Sequence, residues 1–514
     1  MFSTIYAGAL HGVSAYLVAV EVDISKGLPS FSMVGSLSCE VRESRERVCV
    51  ALKNAGFDLP PNRITVNLSP ADRRKEGTAF DLAIGVGMLA SFNYFSQNAV
   101  EDTLFLGELG LNGEIKRVRG VLPIVREAAA RGIRQCIVPE ENAAEGAVIP
   151  GIAVRGASHI CQVLEFLQTE TEGSREVILP RLQQDLQSLL TGEMTAGAPD
   201  FDQVSGQETA RRAAEIAAAG FHNLLMVGPP GAGKSMIAKR IPGILPLLTA
   251  EECLEVTSVA SVAGLTGEGT ALVTARPFQS PHHTVTQAAL IGGSSIPRPG
   301  VISLAHRGVL FLDELPEFKR EVLDSLRQPL EEHKVNISRI SGSVSYPGDF
   351  MLVCAMNPCP CGYYPNRNRC RCTEPQVRKY MGRVSGPILD RIDLCVELQS
   401  VDVLSLRGGR GESSASIRQR VLRAREQQEK RYVGTSYRFN ADIDAADMER
   451  YCALGQEEQD CMEQLYHSLQ FSARAYHRIL KVARTIADLE GAEKIGVEHL
   501  MEAAFYRPAH EYWN

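Results

Sequence analysis

Apolar and polar positions alternate along the first 168 residues with two different periods. Residues 15–22 and 63–68 are rich in β-branched and other apolar side chains, which is typical of strands. Residues 79–90 instead repeat apolar side chains with a helical period. The pattern predicts a first domain of α+β or α/β class over residues 1–168.

The pattern weakens over residues 169–199. This stretch contains scattered charges, Gly192, Gly197 and two prolines, and only residues 182–190 look amphipathic. Such a composition is typical of a connection between domains, so we predict a linker here.

From residue 201 the pattern becomes helix, strand, Gly-rich turn and helix. Residues 209–219 are rich in Ala, Arg and Glu and are followed by Gly220, a common signal for the end of a helix. Residues 223–227, which are apolar after Asn223, then predict a short buried strand, and residues 308–312 and 350–355 repeat that signal. We predict an α/β nucleotide-binding core over residues 200–400.

The last part of the chain has a helical pattern. A Gly/Ser-rich stretch at residues 408–416 is followed by a charged helical segment at 417–431 and by further helical periods. These signals predict a helical lid over residues 401–514.

Composition narrows the class of protein. The chain has 514 residues, 44% of them hydrophobic and 22% charged, which excludes disorder as its main state. Apolar stretches such as 82–92 are shorter than the roughly 20 residues of a membrane helix, and no Lys or Arg precedes the first apolar run. We expect a cytoplasmic protein without a membrane partner.

Charge and cysteine content add two further limits. The net charge of -7 argues against a uniformly basic nucleic-acid coat but permits a local basic channel. Thirteen cysteines in a chain without an export signal do not predict a disulfide framework.

A phosphate-binding motif follows the strand at 223–227. The sequence G-P-P-G-A-G-K-S fits the pattern G-x-x-x-x-G-K-[ST], between a predicted strand and a predicted helix. Backbone N–H groups of such a loop bind phosphates, the lysine neutralises β- and γ-phosphate charge, and the serine hydroxyl coordinates Mg²⁺. The predicted ATP-binding residues are Gly228, Pro229, Pro230, Gly231, Ala232, Gly233, Lys234 and Ser235.

Polar residues follow the two later strands. Asp313 and Glu314 come directly after residues 308–312, where open α/β sheets bind ligands. We expect Asp313 to hold Mg²⁺ and Glu314 to act as general base toward the attacking water. Asn357 follows the third strand and could orient that water; an acidic strand end and a turn-forming Asn are the alternatives.

Four cysteines lie within fourteen positions, in a Cys-rich loop at residues 359–372. Thiolates so close together are readily stabilised by Zn²⁺ in a Cys₄ site, although the one-residue gaps are tighter than usual. Redox-active thiols and incidental clustering are the alternatives. The candidate zinc ligands are Cys359, Cys361, Cys370 and Cys372.

The same loop and the residues after it are basic and aromatic. Such a surface is suited to DNA phosphates and bases, the alternative being a basic loop between subunits. The basic residues are Arg367, Arg369, Arg371, Arg378, Lys379 and Arg383, and the aromatic ones are Tyr363, Tyr364 and Tyr380.

Several motifs together resemble a known family. The P-loop, the L-D-E-L of residues 312–315, the A-M-N-P-C-P-C-G of 355–362 and the S-G-P-I-L-D-R-I-D of 385–393 are similar to Mg-chelatase-like AAA+ ATPases of the ComM/YifB type. The resemblance covers essentially the whole chain. It implies a homohexameric ring that uses ATP and Mg²⁺ and acts on single-stranded or branched DNA, as a helicase or branch-migration motor in recombination or natural transformation.

The resemblance also implies roles for two arginines. Arg391 matches the arginine finger that is supplied to the γ-phosphate of a neighbouring subunit, and Arg474 matches sensor 2 on the lid. A permanently charged guanidinium suits phosphoryl transfer, but an arginine beside acids can also be merely salt-bridged.

Two loops of the core match family features. Residues 334–346 alternate and turn at Ser-Gly-Ser, which predicts a β-hairpin; in the family this hairpin projects into the ring pore. Lys334 and Arg339 are then candidate DNA contacts, the alternative being solvated charge. Residues 279–284 resemble the family's second-helix insert, and their pair His282 and His283 could bind metal or serve the loop.

The first domain looks like the proteolytic domain of Lon, through residues 106–109, 113–115 and 120–124. The position of the nucleophile is occupied by Ala79, and the partner lysine is lacking, so we expect a non-proteolytic domain.

Three functions remain in competition. The first is an ATP-dependent motor acting on DNA, the second a chelatase-type ATPase that remodels a protein partner, and the third an inert scaffold around a nucleotide. The intact set of Glu314, Asn357 and Arg391 disfavours the third.

Overall fold

The structure is a computed structural model that describes residues 1–191, 199–293, 298–339, 342–400, 411–469 and 472–507. Its N-terminal region is built on an eight-stranded mixed sheet. The strands are β1 Phe2–His11, β2 Ser14–Ser25, β3 Ser30–Val34, β4 Arg63–Ser69, β5 Thr103–Phe105, β6 Glu108–Leu109, β7 Ile115–Lys116, β8 Gln135–Pro139, β9 Ala153–Ala157 and β10 Arg181–Leu182. The helices are α1 Cys39–Asn54, α2 Asp81–Ser91, α3 Val121–Ala130, α4 Glu140–Gly146, α5 Ile160–Gln168, α6 Glu172–Ile178 and α7 Leu186–Thr191.

The order of the large sheet is β10-β9-β8-β5-β1-β2-β4-β3, while β6 and β7 form a separate pair. Strands β1 and β2 form an antiparallel ribbon whose register runs from Phe2 opposite Asp23 to His11 opposite Ser14. Helix α2 is buried along its whole length, which explains its continuous apolar sequence. The two strands and the helix predicted in this region are confirmed as β2, β4 and α2.

The segment predicted as a linker contains ordered elements. Strand β10 pairs with β9, and α6 is held by ion pairs from the fully buried Arg155 to Glu176 (2.5 Å) and Glu172 (3.3 Å). The first part of this segment therefore packs against the N-terminal sheet, while residues 192–198 lie outside the described residues.

The central region is a parallel sheet with the order β12-β13-β16-β11-β17, flanked by short helices. The strands are β11 Leu224–Val227, β12 Phe278–Gln279, β13 Val309–Leu312, β14 Lys334–Arg339, β15 Gly342–Pro347, β16 Met351–Met356 and β17 Leu394–Glu397. The helices are α8 Glu208–Gly220, α9 Lys234–Ala238, α10 Ala250–Ala263, α11 Gln287–Ile291, α12 Val301–Leu304, α13 Arg320–Asp324, α14 Arg327–Glu332, α15 Glu374–Met381 and α16 Gly386–Leu389.

Strands β11, β13 and β16 are buried at every position, which matches their unbroken apolar sequences. All the pairs in this sheet are parallel, so the carboxyl ends of its strands meet at one edge. The three strands predicted from residues 223–227, 308–312 and 350–355 are confirmed.

The predicted hairpin is confirmed as the antiparallel pair β14 and β15. Val335, Ile337, Val344 and Tyr346 are buried on one face, while Lys334 is exposed on the other. The turn residues 340–341 and the side chain of Arg339 lie outside the described part of the chain.

The C-terminal region is helical, with α17 Ser414–Arg431, α18 Met448–Tyr451, α19 Gln456–Leu469, α20 Ala473–Glu490 and α21 Val497–Phe505. The predicted helix at 417–431 lies inside α17. Residues 401–410 lie outside the described residues, so the Gly/Ser-rich stretch is seen only from residue 411. Among the described helices, none combines the length and apolar character needed to cross a membrane.

Candidate active site

The predicted P-loop connects the end of β11 to the start of α9. Gly231 (φ +78°) and Gly233 (φ +90°) have left-handed backbone conformations, in which a side chain would be strained. A Cβ on Gly228 would lie 2.7 Å from the carbonyl oxygen of Leu398, so that position also requires glycine for space. The loop therefore has the conformation and close packing that its glycines predict.

Lys234 occupies the space inside the loop. Its Nζ donates hydrogen bonds to the carbonyl oxygens of Gly228 (2.6 Å) and Pro229 (2.9 Å) and to Oδ1 of Asn357 (3.1 Å). Burial lowers the pKa of Lys234, while Asp313 opposes that shift. The ammonium group is thus placed for a phosphate and joins the P-loop to the strand end at Asn357.

The two residues predicted to bind Mg²⁺, Ser235 and Asp313, are in direct contact. Oγ of Ser235 donates to Oδ2 of Asp313 at 2.7 Å, although the two residues are 78 positions apart. The hydroxyl and carboxylate oxygens present the ligand type that Mg²⁺ prefers. Ser235, predicted from the P-loop motif, and Asp313, predicted from its position after β13, are thus close enough to bind one ion together.

Glu314 has a different environment from Asp313. Its backbone is left-handed (φ +53°) and its N–H donates to Oδ1 of Asp313 at 2.9 Å. The carboxylate is exposed and lies 3.4 Å from Nδ1 of His283, whose ring lies 4.0 Å from that of His282. One of the two predicted histidines thus contacts the candidate general base.

The four cysteines of the Cys-rich loop converge. Their Sγ atoms all lie within 4.8 Å of one another, and the distances are 3.4 Å for Cys359–Cys361, 3.6 Å for Cys361–Cys370 and 3.8 Å for Cys359–Cys370. A tetrahedral zinc site with Zn–S bonds of about 2.3 Å has sulfur atoms about 3.8 Å apart. The donor set therefore fits a zinc ion, for which Cys372 is the fourth ligand.

The electrostatics of the cluster favour a thiolate at Cys361, whereas desolvation and the neighbouring cysteines raise the pKa of Cys370 and of Cys372. Desolvation opposes ionisation, but backbone N–H groups of Tyr363 and Arg371 outweigh it and lower the pKa of Cys361 to about 6. The N–H of Tyr364 also donates to Sγ of Cys359 at 3.4 Å. Hydrogen bonds of this kind around sulfur are the usual support of a metal-binding thiolate.

The Cys-rich loop packs on the P-loop. Gly362 has φ +83°, and a Cβ there would lie 2.8 Å from Cγ of Pro230 and 3.7 Å from Cγ of Asn357. A cavity of about 730 Å³ lies beside this contact, lined by Glu314, Asn357, Pro360, Cys361, Lys379 and Arg383 among others. The cysteine cluster and the predicted catalytic edge of the sheet thus lie side by side and line the same cavity.

Two arginines of the Cys-rich loop stack on tyrosine rings. The guanidinium of Arg369 lies 4.2 Å from the ring centre of Tyr363, and that of Arg367 lies 5.2 Å from Tyr364. Arg367, Arg369 and Arg371 are all exposed. Stacking of this kind holds cations and aromatic faces on the same surface.

The two arginines implied by the resemblance lie at the other edge of the sheet. Arg391 precedes β17, and its carbonyl oxygen accepts a hydrogen bond from Nδ2 of Asn223 at 2.8 Å. Asn223 is five residues before Gly228, about 16 Å at about 3.3 Å per residue of strand. Arg474 is exposed and lies 3.7 Å from Asp390, next to Arg391 in the chain.

This fold and site define a class. A parallel sheet with a P-loop after β11, an acidic pair after β13, a polar residue after β16 and a helical lid is the architecture of AAA+ ATPases.

Comparisons with known proteins specify the family. The family model described as magnesium chelatase, subunit ChlI, matches residues 200–406, its C-terminal model matches 411–507, and one described as subunit ChlI of Mg-chelatase matches 20–142. The uncharacterized protein YifB of Salmonella typhimurium is 43% identical over 98% of this chain and 96% of its own length. Competence protein ComM of Haemophilus influenzae is 42% identical over 98% of this chain and 97% of its own.

A third relative is more distant. The 38 kDa subunit of magnesium-chelatase from Cereibacter sphaeroides is 24% identical over 60% of this chain and 91% of its own length. The chain belongs to the Mg-chelatase-like AAA+ family that includes ComM and YifB.

Sequence reasoning did not anticipate three contacts of the site. His283 was considered for metal binding or a loop role, but its contact is with Glu314. Lys379 and Arg383 were considered for DNA, yet they line the cavity beside Glu314. These contacts could have been expected only from the order of the chain, because the segment with His283 and the segment with Lys379 and Arg383 each follow a strand of the same sheet.

Proposed function

We propose that this protein is an ATP-hydrolysing motor that assembles into a homohexameric ring and acts on single-stranded or branched DNA. The proposed ATP hydrolysis is supported by a group of contacts at the carboxyl edge of the central sheet. Lys234, Ser235, Asp313 and Asn357 are joined by hydrogen bonds, with Glu314 beside them. Lys234 and the P-loop N–H groups would bind the phosphates, and Ser235 and Asp313 would hold Mg²⁺, which offsets phosphate charge.

Glu314 would take the proton of the attacking water. Its carboxylate is exposed toward the cavity, where a water next to the γ-phosphate has room. Asn357 would orient that water with an uncharged amide.

The ring part of the proposal rests on the separation of Arg391 from the P-loop. A guanidinium at the amino edge of the sheet does not extend to its own chain's phosphate site at the carboxyl edge. In a ring, the amino edge of one subunit's sheet can face the carboxyl edge of its neighbour's sheet. Arg391 would then stabilise the transition state of ATP hydrolysis in the neighbouring subunit. Arg474 lies at the same edge and would serve the same neighbouring site.

The DNA part of the proposal rests on the basic loop. Arg367 and Arg369 are stacked on tyrosines and exposed, so they present cations and aromatic faces for phosphates and bases. Arg371 is exposed in the same loop, and Lys334 is exposed on the hairpin. The 42% identity to a protein named for competence supports a role with DNA.

We also propose that the four cysteines hold a structural Zn²⁺. The sulfur spacing supports this assignment, and a closed Cys₄ set leaves no position for a substrate. The ion would fix the loop that presents the arginines and that packs on Pro230 of the P-loop.

The N-terminal domain is proposed to be non-proteolytic. Ala79 offers no hydroxyl, and Lys75, which lies nearby in sequence, is buried with its Nζ donating to the carbonyl oxygen of Arg73 at 2.8 Å. A nucleophile and a free base within reach of it are both required for a Ser/Lys mechanism.

The test is ATP hydrolysis measured without DNA and with single-stranded, duplex and forked DNA. We expect stimulation by single-stranded or forked DNA, and its loss in the double variant Arg367→Ala/Arg369→Ala. Arg134→Ala is the control, because Arg134 is an exposed arginine in the N-terminal domain, away from the Cys-rich loop.

Equal rates with every DNA would contradict the DNA proposal. They would favour the second candidate, an ATPase that remodels a protein partner, which the similarity to a magnesium-chelatase subunit supports. Lys234→Ala gives the background rate for all these measurements, since it removes the phosphate-binding ammonium.

A further inference from the structure

The guanidinium of Arg391 is bound within its own chain. NH1 donates to the carbonyl oxygen of Pro387 at 2.6 Å, and NH2 is hydrogen-bonded to the carboxylate of Glu331. Nε is buried and has no hydrogen-bond partner among the described residues. Each terminal nitrogen of the guanidinium thus donates to an acceptor of its own chain, and the buried Nε–H is left unsatisfied.

Glu331 belongs to the base of the hairpin. It lies in the last turn of α14; His333 caps that helix in a left-handed conformation (φ +54°), and β14 begins at the next residue. The N–H of Gly348, after β15, donates to the carbonyl oxygen of His333 at 2.9 Å. Both ends of the hairpin are therefore tied to the end of α14.

Further contacts make α14 and the hairpin move together. Nδ1 of His333 lies 3.2 Å from Oδ1 of Asp349, just beyond β15. Val335 of the hairpin packs in the same apolar cluster as Leu326 and Leu330 of the α14 segment. A displacement of the hairpin must therefore displace the Glu331 carboxylate.

We propose that Glu331 is a positioning residue that couples the hairpin to the arginine finger. While the hairpin is at rest, Glu331 holds Arg391 away from the neighbouring phosphate; when DNA displaces the hairpin, the ion pair opens and the guanidinium is released. This inference rests on the proposed function, in which Arg391 serves a neighbouring site and the hairpin touches DNA.

The exposure of the two side chains suits a reversible contact. The Arg391 side chain is 13% exposed, whereas that of Glu331 is 62% exposed, so water competes for the carboxylate. Arg478 lies close enough to Arg391 and Arg474 for mutual repulsion, which the neighbouring carboxylates of Asp390 and Asp393 offset. The pair can hold the guanidinium at rest without fixing it.

The experiment compares Glu331→Gln with Glu332→Gln in the full-length protein, with ATP hydrolysis measured with and without forked DNA. Glu332 is the adjacent residue and loses the same charge, but its carboxylate accepts from Nε2 of Gln328 at 2.8 Å and from Nδ2 of Asn336 on the hairpin at 3.5 Å, and not from Arg391. We expect Glu331→Gln to raise the DNA-free kcat about two- to fivefold, the range of a partly exposed ion pair. KM for ATP should not change, since Glu331 does not touch the nucleotide site.

The stimulation by DNA should fall by the same factor, because the finger is already free. Glu331→Asp, which keeps the carboxylate, should restore part of the stimulation, and Glu332→Gln should behave as the unmodified protein. A Glu331→Gln variant with unchanged DNA-free kcat and unchanged stimulation would overturn the coupling.

Failure of the proposed function gives a different result. If Arg391→Ala keeps its ATPase activity, the finger assignment is wrong. If DNA does not stimulate the unmodified protein, the DNA assignment is wrong. If Arg391→Ala is inactive and DNA stimulates the unmodified protein, a silent Glu331→Gln contradicts only the coupling.

Discussion

Arg391 and Lys234 lie at opposite edges of one sheet, and this separation makes a quantitative prediction about mixed rings. Arg391→Ala removes the finger but leaves the P-loop intact, whereas Lys234→Ala removes the phosphate-binding ammonium but leaves the finger intact. Each variant alone should be inactive, because every interface in its ring lacks one of the two groups. Loss of an arginine finger lowers the rate by a factor on the order of 10³ or more.

A mixture of the two variants should recover activity. A working interface needs a P-loop from an Arg391→Ala subunit, with a probability of about one half, and a finger from a Lys234→Ala neighbour, again about one half. Equal amounts that mix at random therefore repair about one quarter of the interfaces, whatever the number of subunits. If the sites work independently, the mixture should hydrolyse ATP at about one quarter of the unmodified rate.

The assay is steady-state ATP hydrolysis after subunit exchange. Exchange is verified first, by mixing donor- and acceptor-labelled subunits and following energy transfer until it is constant. The rate is then measured across mixing ratios, and it should be greatest at equal amounts, because the product of the two probabilities is greatest there.

Fully exchanged mixtures that stay at the rate of either variant would refute this reasoning. That result would mean that Arg391 acts within its own subunit, or that the ring hydrolyses ATP only when all its sites are intact. Repeating the mixture with Arg474→Ala in place of Arg391→Ala shows whether the lid arginine supplies the finger.

Three further substitutions test the site itself. Glu314→Gln should bind Mg-ATP normally and lose nearly all turnover, because an amide takes no proton; weaker nucleotide binding would show that Glu314 helps to hold the metal. Cys370→Ser should reduce zinc from one ion per chain in elemental analysis of tag-free protein, and a metal-free preparation with full activity would contradict the zinc site. Gly362→Ala should weaken ATP binding, since its Cβ overlaps Pro230 at φ +83° and adds about 1–2 kcal/mol of backbone strain. Gly132→Ala is its control, because φ is +84° there and nothing lies within 4 Å; equal ATP affinities in the two would refute the contact with the P-loop.

Local sequence was sufficient to predict the catalytic edge. The strands before Gly228, Asp313 and Asn357 are buried on both faces, so each could be recognised as an unbroken apolar run. Parallel strands bring their carboxyl ends to one edge, and the predicted residues therefore meet there. Arg391 was identified only through the family resemblance, since no strand was predicted where β17 lies.

Composition predicted the structure less well where charged side chains form buried contacts. The segment at 169–199 looks like a linker because it is charged, yet Glu172 and Glu176 bind the buried Arg155 and β10 extends the sheet. The sequence shows that a side chain is charged, but not whether that side chain contacts water or a buried guanidinium. The contact between Gly362 and Pro230 was equally hidden, since a loop's course depends on distant residues.

The hairpin has one more neighbour. A Cβ on Gly12, in the turn between β1 and β2, would lie 2.8 Å from Cγ1 of Val344 and 3.0 Å from the carbonyl oxygen of Ser345. The ribbon behind this turn is ten residues long in β1, or about 34 Å at about 3.4 Å per residue. In the proposed motor, a movement of the hairpin would either break this contact or displace the turn of the ribbon. The N-terminal domain would then resist each movement of the hairpin, and its stiffness would limit how far the hairpin travels.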